Sequence, residues 1–143
     1  MLFKVLKRKC GLTWLFKNAS TDKHKYKIVV MHHHLVPVPH TGRERNILYD
    51  AGDALELLIS CKFNLALCGH KHVPHVWFIE GLGIINAPTI GALNTILHYK
   101  NSFNVIDIEN GSISVEMHDL QGRKTSLATM SSDVLPILEG LSK

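Results

Sequence analysis

The hydrophobic pattern of the first half of the chain is typical of strands that alternate with helices. Apolar residues recur at mostly helical spacing over residues 2–17 and predict an amphipathic helix. Residues 26–31 (YKIVVM) and 64–68 (NLALC) are short apolar runs typical of buried strands, and residues 47–60 between them have helical periodicity. This order of strand, loop, helix and strand predicts an α/β fold.

The second half has the pattern of strands separated by turns. Asn110-Gly111, between two alternating apolar segments, is the strongest hairpin signal in the chain. The tail, residues 131–143, predicts a short helix capped by Ser132 or Asp133, which Pro136 keeps from being long. The predicted strands cover residues 76–79, 83–86, 103–108 and 112–118.

Length and composition predict one soluble domain spanning residues 1–143. The chain has 45% hydrophobic and 20% charged residues, and no apolar run approaches the roughly 20 residues of a membrane span. The three cysteines show no CxxC spacing, which disfavours a disulfide framework or a thiolate zinc site. With no apolar signal segment at the start, these features predict a cytoplasmic protein.

Positive charge is concentrated at the N-terminus. Residues 1–27 hold eight Lys or Arg against one Asp, whereas the remainder is net negative. Such an arm could bind nucleic acid, with Trp14 and Phe16 stacking on bases, or an acidic lipid surface or protein partner. A solvated helix face followed by a lysine-rich turn is the plainer interpretation, and nucleic-acid binding is the least favoured of the functions considered.

Histidines follow two of the predicted strands directly. His32, His33 and His34 end the first strand, while His70 and His72 come just after the second. Ligand sites collect at the carboxyl edge of α/β sheets, and neutral imidazole is a ligand for zinc, manganese or iron. Spacing alone leaves metal binding and an ordinary surface role both open. On a regular strand, either His32 and His34 or His33 alone would face one site.

The order of these segments resembles the second half of the calcineurin-like metallophosphoesterases. The resemblance rests on MHHH, CGHKH and the later NAPT, and it covers about residues 12–118. It implies that His32 and His70 are ligands of the second metal of a dinuclear centre and that His72 is a ligand of the first metal. His33 would contact the substrate or a ligand. The implied cofactors are two divalent ions of manganese, iron or zinc, and the implied substrate is a phosphomonoester or phosphodiester.

The carboxylate motifs of that family are absent from their places. Asp22-Lys23-His24 has Asp-x-His spacing but lies in a polar turn, and Gly52-Asp53 falls inside the predicted helix. No Asn-His pair exists. Because a dinuclear centre needs a bridging carboxylate, the chain alone is predicted to be inactive and to bind one ion weakly or none.

The same resemblance implies the C-terminal half of an αββα sandwich, with a mixed sheet and flanking helices. It leaves the inner face of that sheet exposed, ready for a separate N-terminal half or a second copy of the chain. Two functions therefore stand beside each other: an incomplete metal-dependent phosphoesterase, and a non-catalytic interaction module or degenerate fragment of that family.

Overall fold

The computed structural model describes residues 2–5, 26–41, 47–93 and 99–131. Within these ranges the chain forms eight strands and one helix, arranged as two sheets with the helix on the outside. The strands are β1 (Leu2–Val5), β2 (Lys27–Val30), β3 (Leu65–Cys68), β4 (His75–Ile79), β5 (Leu82–Asn86), β6 (Ser102–Glu109), β7 (Ser112–Asp119) and β8 (Lys124–Ser131), and the helix is α1 (Ala51–Ser60).

The first sheet is mixed and has the order β1-β2-β3-β5-β4. Its first four strands in that order are parallel, with α1 on the crossover from β2 to β3, and β4 is antiparallel at the edge. Glu80 and Gly81 join β4 to β5 with φ of 47° and 85°, the left-handed pair that a tight two-residue hairpin requires. The predicted mixed α/β sheet is confirmed.

The second sheet is an antiparallel meander of β6, β7 and β8. Asn110 and Gly111 connect β6 to β7 with φ of 48° and 82°, which confirms the predicted hairpin. The sequence did not predict β8. Its side chains are mostly exposed because it is the outermost strand, so its apolar pattern is weak.

Both faces of the first sheet are covered within the chain. One face packs on α1, and the other packs on the second sheet through Ile28, Leu65 and Ile85, which are at most 3% exposed. The prediction that the inner face of this sheet is exposed is therefore wrong, because β6–β8 cover it. An exposed inner face is thus no longer a reason to expect a homo-oligomer or a separate N-terminal half.

The N-terminal helix prediction is wrong over its first turn. Leu2–Val5 forms a strand that pairs in parallel with β2, in register from Leu2 opposite Lys27 to Val5 opposite Val30. Pairing with a strand of an existing sheet satisfies the backbone groups, and this tertiary gain outweighs a local helix preference. The rest of the predicted helix, most of the basic arm and the tail lie outside the described residues.

Helix α1 begins four residues later than predicted. The Leu48 N–H donates to the His34 carbonyl at 3.3 Å, and the Ala51 N–H donates to the Leu48 carbonyl at 3.0 Å, so the preceding residues form a turn. This turn ties the start of α1 to the histidine segment. Gly52 and Asp53 lie inside α1, which confirms the prediction that they fall within a helix.

Cys61 and Cys68 are free and buried. Burial raises the pKa of the Cys68 thiol to about 11, so it remains protonated and unreactive at neutral pH. Among the described residues, no helix is long and apolar enough to cross a membrane.

Candidate metal site

The candidate site lies where β2 and β3 end side by side. These strands are parallel, with Val30 opposite Leu67, so the residues after both strands emerge at the same sheet edge. The ladder continues past the strands, because the Met31 N–H donates to the Leu67 carbonyl at 2.9 Å and the Gly69 N–H donates to the His32 carbonyl at 3.1 Å. These bonds hold the segment of His32 against the segment of His70.

Three histidines converge at this edge. The candidate ligand nitrogens of His32, His33 and His70 all lie within 4.8 Å of one another. Nδ1 of His70 and Nε2 of His32 are 3.0 Å apart. Two imidazoles on a tetrahedral zinc ion, each about 2.0 to 2.1 Å from it, would place their nitrogens roughly 3.4 Å apart. Small side-chain movements would therefore let this trio hold one ion.

Adjacent His32 and His33 share the site because the strand ends before them. Strand β2 stops at Val30, and both residues lie in a bend, so side chains no longer alternate between two faces. The expectation that His33 would face away from His32 is wrong for this reason. His34, instead, is fully buried, and its ring stacks at 6.4 Å from that of His70.

The backbone at His70 adopts a conformation that is rare for a residue with a side chain. Its φ is 75°, and the Lys71 N–H donates to the Gly69 carbonyl at 3.0 Å, which closes a γ-turn around His70. Turns of this class are strained, and strained residues cluster at functional sites. The strain lies at His70 itself, since Gly69 is not in the left-handed region.

His70 is held in the neutral form that binds metals. Burial lowers its pKa, and the neighbouring His33, His32, His34 and Lys71 act in the same direction through charge repulsion. A neutral imidazole keeps a lone pair free for a metal ion. The lowered pKa therefore leaves the His70 nitrogen unprotonated near neutral pH.

His72 stands apart from the trio. It is exposed, has φ of 57°, and does not belong to the group of converging nitrogens. Its assignment as a ligand of the first metal stays a prediction. Within the described ranges the group includes no carboxylate, so these residues fit one ion held by imidazoles and do not form a carboxylate-bridged pair.

Asn86, the first residue of NAPT, is a polar residue of this edge for which the sequence predicted no role. It is the last residue of β5, is 1% exposed, and neither its Nδ2 nor its Oδ1 has a hydrogen-bond partner. In register it lies between Cys68 of β3 and His75 of β4. The signal in the sequence was an asparagine that ends an otherwise apolar strand.

Replacing Asn86 with alanine is expected to leave the free energy of unfolding unchanged or to raise it. A buried polar group without a partner costs about 1 to 3 kcal/mol, which offsets the small cavity that alanine leaves. Asn64→Ala is the matched control, because Asn64 Oδ1 accepts a hydrogen bond from the Lys27 N–H at 2.9 Å. It should cost about 1 kcal/mol. Urea unfolding measures both, and an equal loss in the two variants would contradict the unpaired state of Asn86.

Comparison with known proteins finds similarity in structure alone. No protein-family model matches the sequence, and no curated protein matches it. Among solved structures, GAP50, described as the anchor in the inner membrane complex of Plasmodium, matches with a TM-score of 0.54 and 20% identity. Vacuolar protein sorting 29 from Cryptosporidium parvum matches with a TM-score of 0.50 and 20% identity.

These two similarities show the metallophosphoesterase-like fold. Each match covers a larger share of this chain than of the other protein. The match takes in 85% of this chain and 39% of GAP50, and 78% of this chain and 55% of the Cryptosporidium protein. A predicted phosphoesterase from Streptococcus pneumoniae TIGR4 matches 55% of this chain and 47% of its own, with 15% identity and a TM-score of 0.42. The chain thus spans about half or less of each of these structures.

Proposed function

We propose that this chain supplies the histidine side of a metal centre for phosphoester hydrolysis. The observation that carries the proposal is the convergence of His32, His33 and His70 at the carboxyl ends of two neighbouring parallel strands. The metallophosphoesterase-like fold supports it. A divalent ion at such a site supplies Lewis-acid polarisation of a phosphoryl oxygen.

The residues have separable roles in this proposal. His32 and His70 are ligands, held in place by the hydrogen bond between Gly69 and the His32 carbonyl. His33 completes the trio as a third ligand, or contacts the phosphoryl group if the ion takes other ligands. His72 is kept as a ligand of the other ion of a dinuclear centre, which requires carboxylates that the converging group does not include. Manganese, iron and zinc all suit imidazole ligands.

Carboxylate ligands are proposed to come from polypeptide outside the described ranges, including a separate N-terminal half. The lengths of the matched structures support this proposal, since the chain spans only 55% of one and 39% of the other. Three neutral imidazoles leave the charge of a divalent ion uncompensated, so the affinity of this chain alone should be modest. The phosphoester substrate is then bound and hydrolysed only in the completed centre.

Titration of the purified chain with zinc and with manganese tests the proposal. We expect one ion per chain by isothermal titration calorimetry and no metal-dependent hydrolysis of bis(p-nitrophenyl) phosphate. Absence of binding by either ion would contradict a metal site. Binding of two ions with hydrolysis would contradict the proposal that this chain is incomplete.

A non-catalytic interaction module is the second candidate. It is favoured by the loop after β5, where Ile90 and Leu93 are 58% and 100% exposed. A contiguous patch of exposed apolar side chains is a feature of protein-binding surfaces, and these two residues lie three positions apart in one loop. This candidate predicts that metal ions leave partner binding unchanged.

A further inference from the structure

An apolar groove opens between the two sheets at the edge opposite β1. Strand β4 is outermost in the first sheet, and β8 is outermost in the second. Between them lies a cleft of about 390 Å³, which we call the edge groove, lined by Val76, Phe78, Leu127, Met130 and Ser131 among others. It is distinct from the histidine trio, none of whose members lines it.

Phe78 presents an apolar ring to the edge groove. Its side chain is 46% exposed, although it lies in β4 two residues after Val76, which packs in the core between the sheets. A second cleft of about 180 Å³, which includes Phe63 and Ile113, shares Phe78, Met130 and Ser131 with the groove. Covering the exposed part of this ring would remove apolar surface from water, which is favourable.

Strand β8 ends at the wall of the edge groove. Its last residue, Ser131, lines both clefts, and the following twelve residues begin there. No linker separates this segment from the groove, so its effective concentration at the groove reaches the millimolar range of short tethers.

The segment that follows has the side chains to fill an apolar groove. Its sequence, residues 132–143, reads SDVLPILEGLSK. Val134, Ile137, Leu138 and Leu141 occupy positions i, i+3, i+4 and i+7, the spacing that places apolar residues on one face of a helix. Asp133 and Glu139 fall outside this stripe.

We propose that residues 134–141 dock in the edge groove of their own chain and cover Phe78. The occupant is the C-terminal segment because it starts at the groove wall and carries an apolar stripe. Docking would close the open edge between the two sheets without involving the metal site.

Hydrogen exchange followed by mass spectrometry on the full chain tests this proposal. Peptides that cover residues 134–141 should exchange at least about tenfold more slowly than the same sequence as a free peptide, as expected for a docked element. Phe78→Ser should restore the fast rate, while Leu93→Ser, which removes a fully exposed apolar side chain elsewhere, should not. Unchanged protection of β3 and β5 in the same spectra shows that Phe78→Ser is folded.

A second variant covers the case in which Phe78→Ser unfolds the chain. Leu138→Ser changes no residue of the two sheets and should speed exchange both in residues 134–141 and in β8. Free-peptide rates in the unaltered chain would overturn the proposal, and so would slow exchange that neither substitution changes. Protection that appears only at high protein concentration would also overturn it, because it would assign the groove to the tail of a second copy.

Discussion

Replacement of His70 by glycine is expected to abolish metal binding by this chain. His70 provides the nitrogen 3.0 Å from that of His32, and its loss removes one of three converging ligands. Even contacts outside the ligand set cost about 10- to 100-fold in metal affinity, so loss of a ligand should exceed about 100-fold. Glycine is the right replacement because it adopts the φ of 75° without strain.

Two other histidines form a matched set with His70. His40 and His72 also have positive φ, of 63° and 57°, so His40→Gly and His72→Gly make the same chemical change in a similar backbone conformation. Both are exposed and outside the converging group. We expect both variants to retain the affinity of the unaltered chain for the ion at His32, His33 and His70.

Thermal unfolding also measures the loss of metal binding, through the stability that bound metal adds. Metal at 100 times its dissociation constant stabilises the folded state by about 2.7 kcal/mol, and this gain should vanish in His70→Gly and on addition of EDTA. If His40→Gly lost as much of the metal-induced shift as His70→Gly, the site would be assigned wrongly. A selective loss in His72→Gly would place His72 in the ligand set of this ion.

Replacement of Gly83 by alanine is expected to destabilise the chain by about 1 to 3 kcal/mol, the usual cost of an overfilled core. A Cβ at this position would lie 2.9 Å from Cδ2 of Leu65 and 3.0 Å from Sδ of Met130. Met130 borders the edge groove and can shift towards it, whereas Leu65 is fully buried where the two sheets meet, so its Cδ2 cannot withdraw without disturbing that core. Gly83→Val should cost more, since it adds two further methyl groups.

Gly52→Ala is the matched control for this substitution. Gly52 lies in α1 and is exposed, and a Cβ added to it would meet no atom within 4 Å. Alanine there should stabilise the chain by about 0.5 to 1 kcal/mol through its helix preference. Urea unfolding should thus shift in opposite directions for the two variants. Stabilisation by Gly83→Ala would contradict the close packing between the sheets.

Several features of the fold could be predicted because they depend on neighbours in the sequence. The runs around Ile28 and Leu65 are apolar on consecutive residues, as strands buried on both faces require, and Asn110-Gly111 fixes its hairpin by local backbone preference. The periodicity of α1 likewise reflects one apolar face. Strand β8 and the strand at Leu2–Val5 could not be predicted, since pairing with distant strands determines them.

The sequence by itself determined that histidines follow two buried strands, and with it the place of a candidate metal site. Only the tertiary structure decided which histidines meet. His33 joins His32 because the backbone bends after Val30, while His34 is buried and His72 remains outside the converging group. Residue spacing fixes the order of side chains along a strand, but beyond its last hydrogen-bonded pair their directions depend on contacts between segments distant in the chain.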